Sequence, residues 1–420
     1  MKTKLFIIAL AATMLAGCTQ GPKTIKTLTL TEDEETLSQA QNYSFALNLL
    51  QQVHYDMEEN ILISPFSVGV ASAMIANGAH GNTLAEIMRT LGAEDYSVDD
   101  LNNYYSKLIS TLPYLDATTD MRIANGIWFD DQVKPNENFV EANKRSYQAT
   151  VDIIDLGSSA SAKIINNWAS LHTNKLIKKV VDESMFSDDL KAILANALYF
   201  KGIWQNEFKK SDTSKGDFTC LDGNTIQVDM MHQTLECMVT PIRVTNASER
   251  DAQMEPSLNC RMLRLPFKGG AYNMDILLPY YFWNSDFLPF GVQTLSLTEK
   301  TLEKCKTYVK LPKFTLTYHR ELSNDMRELG MRDVFSPQTA DLSCISDQAL
   351  FIGRLLHDTY IEVNEKGAEA AAVTTAMGYE TATLDSEMQS FIVDRPFYFF
   401  IREAKYGTIL FAGRVGNPGK

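Results

Sequence analysis

Apolar positions change period several times along the chain, and each change marks an element. From Leu37, the residues Phe45, Leu49 and Val53 recur at four-residue spacing, which predicts an amphipathic helix. A short apolar run, Ile61–Ile63, reads as strand. Ser64-Pro65-Phe66-Ser67 then supplies a capping Ser with Pro in the first helical turn. The helix it opens carries Val68, Ala71 and Ile75 on one face and stops at Gly78; a second runs Thr83–Leu91 and stops at Gly92. Beyond them the pattern predicts strand over Met121–Phe129, helix over Glu137–Tyr147, strand over Thr150–Asp155 and helix over Ile164–Val180. Ala192–Phe200 is continuously apolar, as in a central strand buried on both faces. Strand patterns follow at Thr225–Met231, Cys260–Pro266, Tyr272–Pro279, Thr307–Pro312, Thr359–Val363 and Phe391–Ile401. This is neither an alternating β-α series nor pure β, so the fold class is α+β.

Between the last two strands lies Glu365–Gly378, a stretch without a bulky anchor. At the two-residue period of a strand, one face carries Ala368, Ala370, Ala372, Thr374, Ala376 and Gly378, all small. The other carries Glu369, Ala371, Val373, Thr375, Met377 and Tyr379. Ala and Glu favour helix, but Gly367 and the Val373-Thr374-Thr375 run work against it. The pattern suits a segment that slides into a sheet above an already filled core.

Glu365-x-Gly367-x-Glu369-Ala370-Ala371-Ala372 resembles the reactive-loop hinge of inhibitory serpins, and Phe391–Ile401 resembles that family's C-terminal signature. Asn167-Trp168-Ala169, Lys201-Gly202-Ile203-Trp204, Leu311-Pro312-Lys313-Phe314 and Leu329-Gly330-Met331 are similar to further stretches of the family, so the likeness covers most of residues 37–418. The resemblance implies three β-sheets, about nine helices and an exposed reactive-centre loop. It also implies a suicide inhibitor of a serine or cysteine protease, in which the cleaved loop inserts into the central sheet and traps the acyl-enzyme. The hinge residues are then Glu365, Gly367, Ala368, Glu369, Ala370, Ala371 and Ala372. Ser64, Ser67, Asn196 and His357 match the polar cluster under the opening, the shutter, and Trp204 matches the breach where insertion begins. Many family members carry Thr or Ser where this chain has Ala368. The usual spacing places the cut bond at Thr381–Ala382, with Met377, Tyr379 and Leu384 as alternatives because the following stretch is long. A small residue before the bond suits elastase-like or subtilisin-like enzymes. The reading from another class is a non-inhibitory serpin-fold carrier. The expected state is a monomer with no cofactor.

The N-terminus reads separately. Lys2 and Lys4 precede an apolar run, Leu5–Leu15, too short to span a bilayer. It ends in Leu15-Ala16-Gly17-Cys18, which resembles the lipobox of bacterial lipoproteins. The expected organisation is a signal peptide over 1–17, a lipid-anchored flexible tether over 18–36 and one domain over 37–420. The expected location is a bacterial membrane, at the outer membrane or cell surface rather than the inner membrane.

Composition narrows the rest. A hydrophobic fraction of 45% and a charged fraction of 22% are ordinary for a folded protein. The net charge of −13 argues against nucleic acid as a partner and against polyanion activation. Cys220, Cys237, Cys260, Cys305 and Cys344 are widely spaced and form no zinc motif, which suggests buried free thiols. No G-x-S-x-G, H-E-x-x-H or P-loop pattern occurs, so an enzyme reading has no residue to stand on.

Overall fold

A computed structural model describes residues 23–54, 60–187, 190–241, 260–280, 291–368 and 388–420. The signal segment, Cys18 and the loop residues from Glu369 through Thr381 and Ala382 lie outside the described residues.

Two hydrogen-bonded sheets face each other across the main core. The six-stranded sheet has the order Phe314–Glu321, Leu355–Asn364, Gly367–Ala368, Ala192–Ile203, Asp120–Asp130, Thr150–Ile154. Ala192–Ile203 is central and apolar, as its sequence predicts, and runs three residues further, past Phe200. The nine-stranded sheet resolves into two blocks. Asn60–Ile63, Ile409–Val415, Phe397–Glu403, Tyr272–Pro279 and Cys260–Pro266 form one; Ser214–Thr219, Thr225–Val239, Glu303–Pro312 and Gln389–Ile392 form the other. Among the described residues they are joined at one corner, by the pairs Met238↔Arg264 and Val239↔Leu263 and by the Thr240 amide donating to the Met262 carbonyl, so the three expected sheets are present with two fused.

The helix Pro65–Ala76 is buried over its whole length and packs on both Ala192–Ile203 and Ile409–Val415. A helix apolar all round belongs in such a position. On the other face of the six-stranded sheet, Ala162–His172 packs Ile165 and Ala169 against Trp128, Ile193 and Leu356. This helix is shorter than its sequence pattern suggested. It stops because Asn174 and Lys175 adopt left-handed φ of 53° and 67°, and the apolar residues Val180 and Val181 are held instead by the Asn166 side chain. The expected strand Phe391–Ile401 is likewise two strands, Gln389–Ile392 and Phe397–Glu403. Pro396 cannot donate to a ladder, and the Arg395 guanidinium turns aside to the Pro279 carbonyl.

The tether is corrected from Lys23 onward. Leu28 and Leu30 are buried, the Lys26 amide donates to the Tyr114 carbonyl, and the Leu30 amide donates to the Tyr406 hydroxyl. Thr31 caps a helix, Glu32–Gln39, with Glu34 returning the bond; a π turn, Ala40–Phe45, joins it to Ala46–His54. Two apolar residues in a polar stretch were enough to bind this segment to the body. No disulfide joins any two of the five described cysteines, but Cys305 is half-buried and Cys344 exposed, so burial holds only for Cys220, Cys237 and Cys260.

Candidate functional site

Asn364 and Gly367 pair across a tight hairpin whose two loop residues are Glu365 and Lys366. Lys366 donates its amide to the Asn364 side chain at 3.0 Å, which fixes the turn. Gly367 has φ 156°, and a Cβ there would lie 1.9 Å from the Gly202 carbonyl oxygen. Only glycine admits so close an approach. Ala368 follows with no exposed surface and pairs on one side with Val363 and on the other with Gly202.

The register of the flanking strands gives this contact its meaning. Leu355–Asn364 and Ala192–Ile203 pair directly and in parallel at Leu355↔Leu194, Leu356↔Ala195 and His357↔Asn196. Six positions further along both strands come Val363 and Gly202, which Ala368 separates. The sheet is therefore closed at one end and wedged apart at the other by one strand's width, with the hinge at the mouth of the wedge.

The mouth is held by aromatic and ionic contacts. Trp204 stacks on Phe267 with centroids 4.7 Å apart and rings 6° from parallel. Its indole donates to the Asn364 carbonyl at 2.9 Å, and its amide donates to the Lys366 carbonyl at 2.7 Å. Glu365 is buried, accepting from Thr213 Oγ1 at 2.9 Å and lying 3.1 Å from Lys313 Nζ. Burial works against its charge, but its own amide, Thr213 and Lys313 together hold its carboxyl below the usual range. Sequence reasoning missed Phe267, Thr213 and Lys313. Lys313 sat inside a quoted motif, but nothing local tied it to Glu365.

At the closed end the four expected polar residues meet. The Ser64 amide donates to His357 Nε2 at 2.9 Å, while Ser64 Oγ accepts from the Ser67 amide at 3.1 Å as the helix cap. His357 stands opposite Asn196 in the parallel register, and the Asn196 amide donates to Asn125 Oδ1. Burial, reinforced by repulsion from His319, pushes the His357 pKa down to about 3, so the ring is neutral and free to accept. Asn196 Oδ1 is buried without a hydrogen-bond partner among the described residues. Thr359, which the sequence did not single out, donates to the Leu62 carbonyl at 2.7 Å and ties the same strand to the core. Beside it, His319 Nδ1 lies 2.6 Å from Asp358 Oδ1.

A sequence profile described as Serpin (serine protease inhibitor) matches residues 40–418. Leukocyte elastase inhibitor A of Mus musculus is 31% identical over 396 residues, covering 91% of this chain and all of that one. Neuroserpin of Gallus gallus is 32% identical over 379 residues, covering 89% of this chain and 90% of that one. Among solved structures, the native state of the thermophilic serpin Tengpin matches with a TM-score of 0.80 at 26% identity, covering 94% of this chain and 96% of that one. Thyroxine-binding globulin complexed with thyroxine matches with a TM-score of 0.78 at 25% identity, covering 91% and 99%. With its hinge at the mouth of a half-open sheet and these likenesses spanning nearly its whole length, this chain belongs to the serpin family.

Proposed function

We propose that the protein is a one-shot inhibitor of a serine protease, cysteine proteases being the second class. The observation that carries this is Ala368 lodged between Val363 and Gly202 while the same strands remain paired at His357↔Asn196. A strand continuing from Ala368 antiparallel to both neighbours would bring Thr374 level with that pair. Its even-numbered residues, Ala370, Ala372 and Thr374, would share the buried face of Ala368. All are small enough to enter without displacing the core.

In this reading the protease nucleophile attacks a loop carbonyl, expels the amine and forms an acyl-enzyme. The freed loop then fills the wedge, and the attached protease travels with it. About a dozen new ladder hydrogen bonds at a net ~1 kcal/mol each supply roughly 10 kcal/mol. The shutter pairs Leu355↔Leu194 through His357↔Asn196 must part for this, and the unsatisfied Asn196 Oδ1 is an acceptor the incoming backbone could use. The cut bond is assigned to Thr381–Ala382, and the small Thr381, with the elastase inhibitors among the relatives, favours elastase-like or subtilisin-like targets. The inhibitor acts as a monomer, and Cys18 carries its lipid anchor to a bacterial membrane.

The test is incubation with a panel of such proteases, scored for complexes that survive SDS and for the sequence of the released C-terminal fragment. Cleavage without complex would favour the second reading, a carrier. The likeness to thyroxine-binding globulin keeps that reading open.

A further inference from the structure

Lys23 ties the N-terminal segment to the same end of the sheet as the hinge. The Lys23 ammonium donates to the Thr119 carbonyl at 2.5 Å, and Thr119 immediately precedes Asp120, the Cα partner of Lys201. Gly202, the next residue along, is the partner of Ala368. Lys23 is thus fixed at the mouth of the wedge, two strands from the hinge, or ~10 Å at the usual strand spacing. Cys18 lies five residues earlier, and five residues reach at most ~18 Å when fully extended. The far end of the sheet, at Ala192, is a 12-residue strand away, roughly 40 Å.

The surface beside Lys23 has the chemistry of a bilayer contact. Ile25 is 51% exposed and Tyr114 is 39% exposed, two of the few large apolar side chains left in solvent among the described residues. Lys26 lies over the Tyr114 ring, 4.8 Å from its centroid. Lys268, exposed, and Lys366, half-buried, stand at the same end in a chain of net charge −13. Apolar and aromatic side chains flanked by lysines are what an interfacial surface needs.

We propose that this end of the insertion sheet is the membrane-facing end of the protein. Ile25 and Tyr114 rest at the headgroup boundary, with Lys23 and Lys26 beside the lipid phosphates. The hinge is then held near the bilayer, so the proteases intercepted are those working at that surface. Loop insertion would carry the trapped enzyme toward the other end of the sheet, away from the lipid. The proposal rests on the anchor and the trap proposed above, and its test separates all three.

Lipidated full-length protein in a Cys344→Ser background would be reconstituted into vesicles of phosphatidylethanolamine and phosphatidylglycerol. Donor dyes at Gln205→Cys, exposed beside Trp204, and at Asp131→Cys, exposed at the opposite end, would be read against a headgroup acceptor. Energy transfer several-fold stronger from position 205 is expected, and a 20-residue Gly/Ser insertion between Gly21 and Pro22 should erase the difference. Equal or reversed transfer from the unextended protein overturns the orientation. Failure of the protein to float with vesicles overturns the anchor and the orientation with it, leaving the trap intact. Failure of the same protein in detergent to form SDS-stable complexes removes the trap without touching the orientation.

Discussion

The two ends of the strand pair Leu355–Asn364 and Ala192–Ile203 are built for opposite tasks. At the closed end, the strands bond directly, and a neutral His357 joins them to the Ser64 helix cap. At the open end, the same strands are held apart by Ala368, and the mouth is propped by Trp204, Phe267 and the buried Glu365 with its half-buried partner Lys313. In the proposed trap, the first would serve as a latch of polar contacts and the second as an aromatic frame that keeps the insertion point available. A closed sheet would have no way in, and a fully open one would leave two ladders of unpaired backbone, each buried group costing the equivalent of a lost hydrogen bond.

The largest effect should come from joining the two ends with a strand. Nicking the loop between Met377 and Leu384 should raise the melting midpoint by tens of degrees, since ~10 kcal/mol is comparable with a whole domain's stability. Calorimetry of intact and nicked protein under the same conditions checks this; an equal or lower midpoint for the nicked form would contradict a metastable native sheet.

Trp204→Ala attacks the open end. Loss of a stacked, hydrogen-bonded indole should cost about 3–5 kcal/mol, read from urea midpoints, and should slow complex formation by at least tenfold. If stability falls but the inhibition rate does not, the frame is structural only. Ala370→Arg leaves both ends intact but would place a charge beneath the closing sheet, at several kcal/mol unless paired. It should turn the inhibitor into a substrate, with complex yield falling at least tenfold while cleavage continues.

The closed end should show itself in pH. His357 is depressed to about 3 in the fold, against an ordinary value near 6.5. Between those values the unfolded chain binds a proton that the native state does not, so this residue weakens the fold as pH falls from about 6.5 toward 3, by ~1.4 kcal/mol per unit at most. His319 is raised by its bond to Asp358 and acts in the opposite sense, contributing stability at low pH that is lost as pH rises through its folded value. Denaturant titrations from pH 7 to 4 should show a net decline that His357→Gln flattens. An unchanged slope in that variant would remove His357 from the latch. The smallest effect on inhibition is at the N-terminal segment, where Leu28→Ala and Leu30→Ala should each cost roughly 2–4 kcal/mol of stability without changing the cleaved bond.

Much of this was legible in the residues. The strands Cys260–Pro266 and Tyr272–Pro279 and the helix Glu137–Tyr147 fall where their periodicity puts them, because each buries a face whose period is its own. The matched motifs also marked Gly367, Ala368 and the polar residues Ser64, Ser67, Asn196 and His357, which the fold brings to the two ends of the strand pair. Three things were not legible. Ile164–Val180 ends early because left-handed Asn174 and Lys175 redirect the chain, which apolar spacing does not register. Residues 23–36 looked like tether because polar composition outweighs two leucines until a groove is present to receive them. The wedge itself was invisible. Which pairs of Leu355–Asn364 and Ala192–Ile203 are joined, and which are parted by Ala368, depends on contacts between residues some 160 positions apart. Local pattern fixes the face a side chain presents, since that follows from backbone geometry. Only the folded chain decides which strand that face meets, because that choice is a competition among long-range partners.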